Sequence, residues 1–316
     1  MNAAVVSSLL PVVLVITLGF LAGKRGWVGS AAVSGLSNLV FLLLGPALLF
    51  RAMSTVQLQQ LRFTPVAAYF FAVALIFGGT LALQGFNRRA AVLALGNSYS
   101  NSVMIGIALI TLAYGEQGRV QLLTLVSLHS LLLLTSATVV LELALSREYI
   151  ATGGERQRSP LHNVVRAIAN SIFHPVQLPI LLGLAFAQTG WTLSGPLEQL
   201  LAMLGQAFGP MALLLVGVTL AHTPIGAHWR GALMQAGIKN FLHPVLVVAI
   251  GWALGVRGLP LTVMTVVASL PIGANVFLFA QRYRTQEELI TASVAVSTLL
   301  ALVSVSLAMT AMQWLT

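Results

Sequence analysis

The sequence contains no cysteine and no aspartate, and its only acids are seven glutamates. Without cysteine there is no disulfide and no thiol chemistry. Charged residues make up 7% of the chain, whereas a soluble domain carries roughly a quarter. HxxxH spacing, GxSxG, a Walker-type GK[ST] loop and paired carboxylates are all missing. No catalytic residue, metal-ligand set or cofactor is therefore expected. The net charge of +9 does not point to nucleic acid, because the basic residues sit singly or in pairs at the ends of apolar runs, where they encode membrane orientation.

Apolar sequence fills the rest. Hydrophobic residues are 58% of the 316, and mean hydropathy is +0.93. Runs near 20 residues, the length that crosses about 30 Å of hydrocarbon, recur throughout. They are continuous rather than alternating, which argues against a β-barrel. The expected fold class is an all-α polytopic membrane protein embedded in the lipid bilayer. Ten spans are read, at 5–23, 31–54, 64–86, 90–113, 120–145, 173–189, 197–221, 231–254, 260–281 and 288–314. Residues 1–23 are taken as a retained first span rather than a cleaved signal.

One connection is long. Residues 146–172 form a polar linker followed by an amphipathic stripe of Leu161, Val164, Val165, Ile168 and Ile172, suited to lying on a membrane surface. This linker separates a first unit, 1–145, from a second, 173–316. With the N-terminus outside, eleven Lys and Arg fall on the cytoplasmic side and four (Arg51, Arg62, Arg119, Arg257) on the outer side. That bias puts both termini outside.

The units echo each other. LGPALLF at 44–50 matches FGPMALL at 208–214, and the polar break NSYSN at 97–101 corresponds to PIGAN at 271–275. Two five-span units in tandem are forced into opposite orientations, the inverted repeat of secondary transporters. Pro46, Pro210 and Pro271 are the expected helix-breaking positions. An unwound backbone at mid-membrane survives only inside protein or beside a wet cavity. Two broken helices meeting there, in spans 4 and 9, aim half-helix N-termini at one point and attract an anion.

The motifs LLGPALLF, SNSVMIGIAL, FGPMALLLVGVTLA, KNFLHP, SLPIGANVFLFAQRY and STLLALVSV resemble the auxin efflux carrier family, in its bacterial malonate-transporter-like branch. The resemblance covers the whole chain. It implies a bacterial inner-membrane protein, which makes the outer side of both termini periplasmic by the charge bias above, with ten spans in two inverted repeats, crossed broken helices at the fourth and ninth spans, and transport of organic anions such as malonate. It also implies that Asn101 and Asn275 are the crossover asparagines. The family often has proline shortly after the first asparagine; Ala108 stands there instead, leaving Ser and Asn to hold that break.

Candidate substrate contacts are Asn101, Asn275, Tyr99, Ser100, Ser102 and Gly273; the asparagines equally suit capping of the broken helices. Lys239, about eight residues into its span, is either a balancing charge or domain lock, or a snorkelling anchor. His129 is a titratable group or a neutral bundle histidine. Arg51 guides a carboxylate or anchors an interface. Glu142, the one membrane-embedded acid, is expected to pair locally, for instance toward Arg147. The midplane thus lacks a carboxylate to carry protons or sodium, which favours uniport, or a proton carried on substrate or on His129. The apolar first span of each unit suits a static wall or a homodimer contact. Rival readings are an efflux carrier for a larger amphipathic acid and a membrane sensor with a carrier fold. The sensor reading lacks an output domain, since 146–172 is too short to form one.

Overall fold

Proline and glycine set where the apolar helices bend. The computed structural model describes residues 3–56, 63–151, 175–223, 226–273 and 275–315. The amphipathic stripe at 161–172 and His174 lie outside them, as does most of the linker.

The described chain is helical, with no strand beyond one isolated bridge. Helix α1 is Ala3–Lys24. Helices α2 (Ser30–Leu39) and α3 (Gly45–Met53) join through a wide π-turn at Val40–Leu44. Next come α4 (Phe63–Gln84), α5 (Arg88–Ser98), and α6 (Ile107–Ala151) behind a π-turn at Ser102–Gly106. The second half holds α7 (Gln177–Gln188), α8 (Gly195–His222), α9 (Trp229–Gly237), α10 (His243–Ala253), α11 (Gly258–Ala268), α12 (Asn275–Arg282) and α13 (Glu287–Leu315).

Proline placement explains two of the wide turns. In a regular helix the ring of Pro46 would strike the carbonyl of Leu42, and that of Pro244 the carbonyl of Asn240. Both carbonyls lie in π-turns, Val40–Leu44 and Ile238–Leu242, whose looser winding relieves the clash. The helix resumes directly afterwards, so Pro46 does not break its span. Pro210 lies inside the continuous α8. Of the three prolines expected to break helices, only Pro271 stands in non-helical backbone.

Helix α6 has 45 residues, roughly 65–70 Å if straight and more than twice the hydrocarbon thickness. It is not straight. Gly115 has φ 60 and ψ −153, a conformation open essentially to glycine alone. Beyond it the chain turns back, so that Gly118 packs on Ile110 and Tyr114.

Six stretches are long and apolar enough to cross a membrane: Ser30–Met53, Phe63–Gln84, Ser102–Glu148, Gly195–His222, Trp229–Ala253 and Glu287–Leu315. Leu10–Lys24, Gln177–Gln188 and Gly258–Ala268 are shorter apolar helices. They pack as two groups. Helices α1, α2, α3, α7 and α8 contact one another, α1 against α8 most extensively. Helices α4, α5 and α9–α13 form the other group, with α6 joined to both. The α1–α8 seam is glycine-lined: a Cβ on Gly217 would fall 2.0 Å from the Ile16 carbonyl oxygen, and one on Gly19 would fall 2.2 Å from that of Leu214. Without hydrophobic drive between helices in lipid, such close backbone contact supplies the association.

Candidate functional site

Helix α5 ends at Ser98 because Tyr99 turns extended, with φ −86 and ψ 110. Helix α11 ends at Ala268, and α12 starts at Asn275. The two interruptions meet. The Asn101 amide donates to the Pro271 carbonyl (2.9 Å), and the Gly273 amide donates to the Tyr99 carbonyl (3.0 Å). Ser100 and Ile272 thereby form an antiparallel bridge. The backbone groups that unwinding frees in one break are satisfied by the other, as an apolar setting demands.

The remaining freed groups find side chains. The Lys239 ammonium, fully buried, donates to the carbonyls of Ala268 (2.6 Å) and Leu270 (2.9 Å). The Ser304 hydroxyl donates to the intervening Ser269 carbonyl, 2.8 Å away. Ser297 Oγ accepts from the Ile272 amide at 3.1 Å. Lys239 therefore does not snorkel; it closes the carbonyl end of the broken helix. Asn97 donates to Thr80 Oγ1 at 3.1 Å, tying α5 to α4.

Six of the expected contact residues, Tyr99, Ser100, Asn101, Ser102, Gly273 and Asn275, line one cleft beside Phe41 and Val176. Its free space is about 20 Å³, room for about one water. Asn275 Nδ2 donates to Tyr99 Oη (3.1 Å), and the Ser100 and Tyr69 hydroxyls share a bond of 2.7 Å. A Cβ on Gly273 would lie 2.6 Å from the Tyr99 ring, so glycine is what lets that ring cover the break. The Asn101 side chain caps neither helix. Its amide makes no hydrogen bond among the described residues and faces the cleft. The starts of the Ser102–Gly106 turn and of α12 converge on the same spot, and helical starts carry partial positive charge.

His129 is fully buried behind the cleft, its ring 4.6 Å from that of Tyr99 and 5.7 Å from that of Tyr69. Tyr69 and His243 complete this layer, with ring centroids 4.9 Å apart. Among the described residues the His243 ring nitrogens have no hydrogen-bond partner, while the His129 ring faces the Ser100 backbone. Neither Tyr69 nor His243 was among the expected contact residues. The available signal was a hydroxyl and an imidazole in otherwise apolar spans.

Arg51 lies elsewhere. It pairs with Glu198 at 2.6 Å and lines a second, larger cavity that shares no residue with the cleft. Glu142 accepts a hydrogen bond of 2.9 Å from Tyr283 Oη, a partner further off than the expected Arg147.

The family described as membrane transport protein matches residues 4–309. A protein of Rhizobium meliloti (strain 1021) named "Putative malonate transporter" is 29% identical over 313 residues, covering 96% of this chain and 94% of its own. An uncharacterized transporter of Methanothermobacter thermautotrophicus is 24% identical, covering 95% of this chain and 96% of its own. Auxin efflux carrier component 3a of Oryza sativa subsp. japonica is 28% identical over 163 residues, 48% of this chain and 26% of its own. A match over nearly the whole length, in a chain of apolar helices crossed at two matching breaks, places this multi-pass membrane protein in the membrane transport protein family, with the auxin efflux carriers among its relatives.

Proposed function

We propose that the protein is a secondary carrier for small organic anions across a bacterial inner membrane, with the crossing of the two broken helices as its binding site. One observation carries the reading: the Asn101 side-chain carboxamide, without a hydrogen-bond partner among the described residues, lines a cleft on which two helical N-termini converge. Such ends carry partial positive charge, and no acid lines the cleft to oppose an anion. A short carboxylate such as malonate is the leading substrate class, taken from the name of the Rhizobium relative. The cleft would have to open to admit it.

Ten spans in two inverted five-helix repeats, with both termini periplasmic, fit the element order once the reversal at Gly115 divides α6. In this reading α1, α2, α3, α7 and α8 are a scaffold, and the crossing helices move against it with their neighbours. Inverted repeats supply the two end states, because exchanging the conformations of the halves turns one access side into the other. Substitution tests the site. Asn101→Ala and Asn275→Ala are each expected to cut carboxylate flux into proteoliposomes at least about tenfold, the effect of one lost buried hydrogen bond, with folded protein retained. Wild-type flux in both variants sinks the proposal.

Lys239 bears on coupling. Carbonyl ends of broken helices are where transporters coordinate sodium, and here the Lys239 amino group already occupies that place. Flux is therefore expected to be the same in sodium medium and in choline medium. A requirement for sodium would contradict this assignment.

A further inference from the structure

Between helices α1, α3 and α8 on one side and α6 on the other lies a cavity of about 380 Å³, within the roughly 300–1,000 Å³ of small-molecule sites. Val12 of α1, Leu48 of α3 and Phe208 of α8 wall it with hydrocarbon. Ala108 and Thr111, on the part of α6 that continues from the crossing, form the opposite side. Two cations, Arg51 and Arg119, also line it.

Neither arginine is saturated. Arg51 directs Nε and Nη2 at the same oxygen, Glu198 Oε1. Arg119 gives Nη2 to Glu116 Oε1 at 2.6 Å, while among the described residues its buried Nε has no acceptor and the buried Thr111 hydroxyl has no partner. A buried guanidinium N–H calls for an acceptor, and the planar guanidinium edge matches a carboxylate. Around those donors the cavity has a mostly apolar lining, with Gln206 as its further polar side chain, and far more space than the cleft at the crossing.

We infer that this cavity is a second ligand site, for an amphipathic carboxylate: the head group on Arg119 and Thr111, the hydrocarbon body against α1, α3 and α8. An occupant bridges the two helix groups beside Gly209, which meets Ala108 across the gap. It wedges the fourth span against α8 and slows transport. That last consequence rests on the carrier reading; binding itself does not.

Octanoate is the probe, with the protein in nanodiscs of neutral phosphatidylcholine so that no anionic lipid competes. Radiolabelled octanoate should bind saturably, and octanol should not displace it. Arg119→Gln should weaken binding about tenfold or more. Glu116→Gln, which releases Arg119 from its partner, should tighten binding. Ala108→Trp, which fills the cavity, should abolish it. Asn101→Ala should leave it unchanged, separating this site from the crossing. The inference falls if octanoate does not bind, if octanol competes as well as octanoate, or if Arg119→Gln and Ala108→Trp both bind like wild type. Octanoate that binds as described without slowing carboxylate flux overturns the wedging step and leaves the site standing.

Discussion

Replacing Gly217 with alanine should unseat α1 from α8 and leave little folded protein. The new methyl carbon would fall 2.0 Å from the Ile16 carbonyl oxygen and 2.6 Å from the Phe20 amide nitrogen. Both are backbone atoms, so no rotamer change relieves the overlap and the helices must separate. Overpacking in a core costs roughly 1–3 kcal/mol where side chains can shift; with backbone on the far side the cost lies at or above the top of that range. Gly19 meets α8 the same way from the other helix, so Gly19→Ala should behave alike. Gly78→Ala is the control, since nothing lies within 4 Å of its Cβ position. Thermal unfolding and size-exclusion profiles in one detergent decide the matter. Gly217→Ala as stable as Gly78→Ala would show that the α1–α8 contact is not as close as described.

Gly273→Ala should abolish carboxylate flux with less damage to folding. Its methyl would lie 2.6 and 2.7 Å from two ring carbons of Tyr99, and 3.3 Å from the Ser100 carbonyl oxygen. The ring cannot simply retreat, because the His129 ring lies behind it at 4.6 Å. Displacing Tyr99 breaks its bond from Asn275 and disturbs the Tyr99–Gly273 backbone bond that joins the two breaks. Flux at background with a retained, modestly lowered melting transition is the expected pair of results. Wild-type flux would mean the cleft opens by a route that leaves Tyr99 free to move.

The crossing was legible because its cause is local. NSYSN and PIGAN put polar and helix-breaking residues where lipid demands helix, and repetition at a similar offset marked them as a pair. Prolines were harder. Pro46 and Pro210 carry the same GP motif as each other, yet one follows a π-turn and the other lies inside a regular helix. Local sequence does not say how a neighbouring helix accommodates the missing N–H. Long-range partners were not legible at all. Lys239 reads as a charge well inside its span, but only the folded chain brings it to carbonyls 29 and 31 positions away. Arg119 likewise counted as a surface charge, because nothing before Gly115 announces that the chain reverses and lays it beside Thr111.

The backbone bridge at the crossing also sets a schedule for biogenesis. The Asn101 amide takes its acceptor from Pro271, roughly 170 positions later; at about 5–20 residues per second, the ribosome needs on the order of 10–30 s to deliver it. During that interval the first break has entered the bilayer with polar backbone groups that its own half leaves unsatisfied. The nascent first half must therefore wait at a wet or protein-lined place, such as an insertion machinery, rather than among lipid chains. Truncation before residue 271 should prolong that wait indefinitely, turning a carrier intermediate into a substrate for membrane proteolysis.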